Sequence, residues 1–232
     1  MIHGAGGRSG TWQNQVNLLD AAINVLALDL PGHGETKGEG YTSIAEYSHW
    51  LSNILKSLFD HPILLMGHSM GGAIVQETAI LHPEHFKGII LAATGPRLKV
   101  NPMFLDGLTD NFEQTVNTLT GYAYGPGVER SIIEEGKKIM KHAGSTVVHN
   151  DFLACNRFDR QEGLAQIDLP CLILCGSEDK LTPPKLSKAL NQGINGSTLK
   201  ILQGAGHMIM IERHRELDKA VQDFILGLPM TS

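Results

Sequence analysis

Residues 63–74 read ILLMGHSMGGAI. Four apolar residues lead into Gly67-His68-Ser69-Met70-Gly71, and a second apolar run follows. The pattern is strand, tight turn, helix, with a lone serine at the turn. Small residues two positions either side of Ser69 let the backbone pass closely and lift the hydroxyl above the strand end. The helix that follows offers unpaired N–H groups and the positive end of a dipole, both suited to a developing oxyanion. G-x-S-x-G alone occurs often by chance, so the informative part is its place between a strand and a helix.

The rest of the chain supplies a matching frame. Short apolar runs occur at residues 23–30, 63–66, 88–94, 170–175 and 198–202. Most are apolar on both faces, as central parallel strands covered by helices are. Amphipathic stretches at residues 44–59, 71–81, 184–192 and 213–226 alternate with them. That alternation predicts an α/β fold, a mostly parallel sheet with helices on both faces. Residues 96–168 break the rhythm with helical patterns near 103–119, 128–142 and 146–158 and no convincing strand. The expected organisation is a core of residues 1–95 and 169–232, with a helical lid of residues 96–168 inserted between core strands.

Composition narrows the functional classes. The chain has 232 residues, a net charge of −5 and 19 basic against 24 acidic residues. A chain of this size buries roughly 70–75% of its unfolded surface and needs no staples. Its longest basic run is Lys137-Lys138, so nucleic acid and anionic membranes are poor partners. No apolar stretch approaches the ~20 residues that span a bilayer. Cys171 and Cys175 lie four apart in an extended run, roughly 13 Å at about 3.3 Å per residue, too far to bridge each other. With Cys155 the count is odd, which favours a reducing compartment. No signal-peptide pattern opens the sequence, and the expected location is cytoplasmic. His82 and His85 form H-x-x-H without the glutamate of a zinc motif and read as a solvated helix end. "GAGGRSG" (4–10) lacks the lysine of a phosphate loop. No metal or organic cofactor is expected.

A serine hydroxyl is a weak nucleophile unless a base takes its proton. Of eleven histidines, His207 is the candidate base. It follows the last strand pattern on a glycine-flanked turn, which brings it to the sheet edge that carries Ser69. The base needs an orienting acid, and Glu178 and Asp179 lie just past a strand end in "LILCGSEDKLTPP" (172–184). Asp179 is preferred, with Glu178 expected to face solvent. The order Ser69…Asp179…His207 is the one this fold uses. Among the remaining residues, Phe152 and Phe158 in the lid and Met208 beside His207 are candidates to face a substrate. Packing is the competing role for each.

These motifs together resemble the α/β-hydrolase superfamily, specifically its lidded esterase, lactonase and C–C hydrolase-like members, over nearly the whole chain. "HGAGG" (3–7) looks like the family's oxyanion loop, "LDLPGHGET" (28–36) like its turn after the next strand, and "GHSMGG" (67–72) like its nucleophile elbow. "GSEDKLTPP" (176–184) and "GAGH" (204–207) look like its acid and histidine loops. The resemblance implies an oxyanion held by the backbone N–H groups of Met70 and Ala5. It implies hydrolysis of small or medium carboxylic esters through an acyl-enzyme. A lactonase or C–C bond hydrolase would use the same residues, and a ligand-binding receptor on this fold is the alternative of another class. Serine at position 69, where dehalogenases and epoxide hydrolases carry aspartate, argues against both.

The beginning departs from the family. In relatives a full strand precedes the histidine of the oxyanion loop, and two more precede that strand. Here only Met1 and Ile2 stand before His3. The slot between the strands expected at 23–30 and 63–66 should therefore hold a stub or nothing. The expectation is a shortened chain, weakly active and prone to associate through exposed strand edges. Direct pairing of the two neighbours, or a second chain in the gap, are the other ways to satisfy the backbone.

Overall fold

The computed structural model describes residues 1–19 and 23–228. Strands β1 (Ile63–His68), β2 (Phe86–Ala92), β3 (Cys171–Gly176) and β4 (Thr198–Leu202) pair in parallel in the order β1-β2-β3-β4. Helices α1 (Gln13–Leu19), α2 (Ile44–Leu58), α3 (Met70–Leu81), α8 (Pro184–Gly193), α9 (Ile209–Glu212) and α10 (His214–Leu226) cover the sheet. Side chains alternate across a strand, and here both faces are apolar. Leu65, Ile89, Leu91 and Ile173 enter one core with Leu51 of α2, Ile74 of α3 and Leu190 of α8. Met66, Ile90, Leu172 and Leu174 enter a second core with Trp12, Leu217 and Val221. That double burial is why β1 and β3 lack polar alternation, whereas edge strand β4 carries Thr198 and Lys200. Helix α2 starts at a reciprocal cap, in which Ser43 Oγ accepts from Glu46 N and donates to Glu46 Oε2.

Residues 23–30 do not form the expected strand. Only Leu28 pairs, through a single parallel bridge to Ile2. Ile2 in turn bridges Gly67 of β1. Ile2 N donates to Met66 O (2.8 Å), His68 N to Ile2 O (3.0 Å) and Leu28 N to Met1 O (3.1 Å). Residues 1 and 2 thus lie between Leu28 and β1 in the central slot, and the two neighbours do not pair directly there. Elsewhere in 23–30, Ile23 is 36% and Leu26 51% exposed.

Between β2 and β3 lie helices α4 (Pro102–Asp110), α5 (Phe112–Ala123), α6 (Arg130–Ala143) and α7 (Ser145–Arg157). The single helix expected over 103–119 is two, broken at Asn111, which sits at φ −148°, ψ 62°. The two ends of this helical excursion meet at a neck. Arg97 bridges Asp159, Arg160 N donates to Pro96 O (2.8 Å), and the Arg160 guanidinium grips the buried Glu77 of α3. Among the described residues no helix is long and apolar enough to cross a membrane.

Helix α3 lies directly on the stub. A Cβ on Gly71 would sit 2.5 Å from the carbonyl oxygens of both Ile2 and His3. Gly71→Ala gains helix propensity worth about 1 kcal/mol but presses on backbone that cannot rotate away. A net loss of about 1–3 kcal/mol is expected, or roughly 2–4 °C in Tm per kcal/mol, read by thermal unfolding. Unchanged stability would show that the stub is free to shift.

Candidate active site

Ser69 joins β1 to α3 at φ 53°, ψ −116°. A non-glycine residue at positive φ stores strain of order 1–3 kcal/mol and persists only when its surroundings hold it. Ser69 N donates to Ala92 O (2.9 Å) at the end of β2. Ser69 O accepts from Ala73 N (3.1 Å) and from Thr94 Oγ1 (2.8 Å). A Cβ on Gly67 would collide with the carbonyl of Gly71, which is why a glycine precedes the turn. The Ser69 hydroxyl makes no capping hydrogen bond to α3 and faces a cavity. Met70 N, first in the helix, is one of the N–H groups that α3 itself leaves without a partner.

His207 follows β4 and Asp179 follows β3, so both loops emerge at the sheet edge that carries Ser69. His207 Nδ1 lies 2.8 Å from Asp179 Oδ2, and both side chains are almost fully buried. A carboxylate accepts, so Nδ1 carries the proton and Nε2 is left with its lone pair. Asp179 Oδ1 accepts from the backbone N–H of Leu181 (2.9 Å) and Thr182 (2.8 Å). Burial alone would raise the Asp179 pKa. The charge and hydrogen bond of His207 and the bonds from Thr182 outweigh it and hold the carboxyl below its ordinary value. Glu178 is exposed, as its expected solvent-facing role requires.

The His207 backbone is fixed from two sides. His68, beneath it, donates Nε2–H to the His207 carbonyl (3.1 Å). Burial, and then the nearby His207, push the His68 pKa well below its ordinary value, so this ring is neutral. From above, His207 N donates to Ala123 O (2.8 Å) at the end of α5. Glu212 Oε2 accepts from Gly125 N (2.9 Å) and Gly206 N (2.8 Å), and its Oε1 from Met208 N (3.1 Å).

Ser69, His207, Ala5, Phe152 and Met208 all line a cavity of about 540 Å³. Its walls are mainly apolar, with Val100, Leu119, Ile139 and Met140 from the helical excursion. Arg8, Lys99, Glu135 and Lys180 also line it. Asp179 stands behind His207. Met70 is fully buried and has only its backbone to offer. Phe158 is 5% exposed and lies in the main core, outside the cavity lining. Sequence reasoning passed over Asp151, His33 and Tyr47, which form a buried cluster behind residues 3–7, and Glu212. Asp151 carried a readable signal: it sits within the apolar stripe Val147, Val148, Ala154, Cys155 of α7, where an acid needs partners.

Comparison with known proteins bears on the family and the fold. A family model described as alpha/beta hydrolase fold matches residues 1–214. The pimeloyl-[acyl-carrier protein] methyl ester esterase of Neisseria meningitidis serogroup B is 25% identical over 98% of this chain and 92% of its own length. Human monoglyceride lipase is 29% identical over 93% of this chain and 75% of its own. A solved structure of a thermophilic esterase is 32% identical with a TM-score of 0.88, covering 98% of this chain and 90% of that one.

The Nδ1–H of His207 against a carboxylate should give a low-field proton resonance by NMR. In Asp179→Asn that signal should move upfield or vanish. A low-field signal unchanged in the variant would belong to another histidine.

Proposed function

The chain belongs to the α/β-hydrolase family, and from that premise we propose that it is a carboxylic ester hydrolase working through Ser69, His207 and Asp179. The observation that carries the reading is the buried His207–Asp179 pair, which leaves Nε2 for the cavity that the Ser69 hydroxyl faces. Ser69 Oγ attacks the ester carbonyl as His207 Nε2 takes its proton. Asp179 holds the imidazole in the tautomer that can accept, and stabilises the imidazolium that forms. The carbonyl oxygen becomes an oxyanion at the N-terminus of α3, where Met70 N–H and, from the 3–7 loop, Ala5 N–H receive it. The imidazolium returns its proton to the leaving alkoxide. Water then repeats the sequence on the acyl-enzyme, with His207 as base.

The helices between residues 96 and 168 act as a lid that closes an apolar pocket over the serine. A volume of about 540 Å³ suits small to medium esters. The relatives named as esterases and a lipase support the ester class. The three cysteines are free and buried, which supports a reducing compartment such as the cytoplasm.

Ser69→Ala should abolish turnover of a p-nitrophenyl ester. It should also abolish the single covalent adduct that an alkyl phosphonate leaves on the Ser69 peptide. Asp179→Asn should cost about four orders of magnitude in kcat, and Glu178→Gln little. An adduct elsewhere, or the reverse ranking of the two acids, would displace the assignment.

Within the pocket, Phe152→Ala should shift the preferred acyl length when esters of increasing chain are compared. Phe158→Ala should instead cost about 3–5 kcal/mol of stability and leave that preference in place. A shift for Phe158 alone would exchange their roles.

A further inference from the structure

Asp151 is a fully buried acid on α7. Its Oδ2 accepts from His33 Nε2 (2.9 Å) and from Gly6 N (2.8 Å), and its Oδ1 from Tyr47 OH (2.5 Å). His33 and Tyr47 are also fully buried. Three donors thus converge on one buried carboxyl group. His33 Nδ1 lies 3.1 Å from Pro31 O, so both ring nitrogens face acceptors and both need a proton. The cluster is therefore an imidazolium–carboxylate pair in the dry interior, completed by one hydroxyl and one backbone N–H.

That backbone N–H belongs to residue 6, next to Ala5. Gly6 sits at φ 62°, pressed against the cap. A Cβ there would meet Met140 of α6 at 2.8 Å and Val148 of α7 at 3.3 Å. On its other side the loop is held by His3. That ring accepts from Leu30 N (3.1 Å) through Nε2 and donates Nδ1–H to Gly4 O (2.8 Å). The loop between Gly4 and Gly6 is thus pinned at two points, one in the sheet layer and one in the cap.

We infer that Asp151, supported by His33 and Tyr47, is a positioning residue for the reaction: from the cap it holds residues 3–7, and with them the Ala5 N–H, where the oxyanion forms. The inference rests on the reading of that loop as an oxyanion donor. It makes a dry, paired carboxylate in the lid part of the catalytic geometry. Closure of the lid and readiness of the loop become one event, because Gly6 N loses its acceptor if α7 moves away.

The pair also has a pH signature. Burial alone pushes His33 down; the hydrogen bond and charge of Asp151 outweigh it, so its pKa is raised. The other groups around it are His3, whose pKa burial and the nearby His33 lower to about 4, with Asp29 beyond it, and Tyr47 and Cys155, whose pKa values burial raises. At neutral pH His3, Tyr47 and Cys155 carry no charge. The ion pair is complete below the ordinary histidine value and is lost as pH rises through the raised one.

The test uses the full chain and p-nitrophenyl butyrate. Asp151→Asn and His33→Gln should lower kcat by about 10–100-fold, the range for a misplaced rather than deleted oxyanion donor, with KM changed less than about 3-fold. The parent should show an alkaline fall in kcat as the His33–Asp151 pair is lost, and His33→Gln should remove it. Wild-type kcat in both variants, or a loss that only tracks the unfolded fraction measured by circular dichroism, would overturn the role. If neither variant folds, Tyr47→Phe decides, since it removes one hydroxyl. A kcat several-fold lower at constant KM supports the role, and parental kcat overturns it. The phosphonate adduct on Ser69 is scored alongside. Its absence in the parent strikes the proposed reaction, whereas its presence with unimpaired variants strikes only the positioning role.

Discussion

Ser69 has to turn the chain from β1 into α3 within a single residue, and it does so at φ 53°, a region where a serine is strained. Strain of roughly 1–3 kcal/mol is met by three hydrogen bonds to its own backbone, each worth about 0.5–1.5 kcal/mol net. Two of them come from the end of β2 and its extension, through Ala92 and Thr94. The third comes from Ala73 in the first turn of α3. Their sum is of the same size as the strain, so the turn holds only while β1, β2 and α3 keep their mutual positions. Gly67 and Gly71 permit that closeness, one toward the helix and the other toward the stub. The parallel sheet is thus the jig that presents a hydroxyl above a helix N-terminus.

Two further constraints reach the site from above. Glu212 binds Gly125, at the end of α5, together with Gly206 and Met208 of the histidine loop. Asp151 binds α7 to the 3–7 loop. Each carboxylate gathers three donors, and each would be left with unmet acceptors if the helices lifted as one body. The cost of a buried unmet charged group exceeds that of a neutral one. The neck adds Arg160 against Glu77. The described side-chain ties thus join the core layer chiefly to α7 and to the end of α5.

Much of this was legible in the sequence because it depends on local pattern. Most of the strands announce themselves by being apolar on both faces, and the elbow by its glycines. The acid and histidine loops follow strand ends, so their order along the chain places them at one edge. Residues 23–30 misled because INVLALDL has a strand's composition. Pairing is a property of the partner, and here only Ile2 bridges Leu28. The break at Asn111 was missed because an apolar periodicity runs through it, although Asp110-Asn111 is a combination that favours leaving a helix. Phe158 and Phe152 could not be told apart from sequence, since six residues separate a pocket wall from the core only once α7 is docked. The cluster of Asp151 spans 145 residues from Gly6. Its only local trace was an acid in an apolar stripe.

The stub raises a question of backbone accounting that the structure answers in two halves. Near the site, Met66 O, His68 N and Leu28 N are satisfied by Met1 and Ile2, and Ile2 is fully buried. Any one of those groups left unmet in the interior would cost about 1–3 kcal/mol. Farther from the site the requirement relaxes. Ile63 and Leu64 are only half-buried and Ile23 and Leu26 reach solvent, where water can serve the backbone. Pairing is therefore confined to the end of the slot where the chain goes on into His3 and the 3–7 loop. His3, fixed by Leu30 N, continues the same anchoring past the last ladder bond.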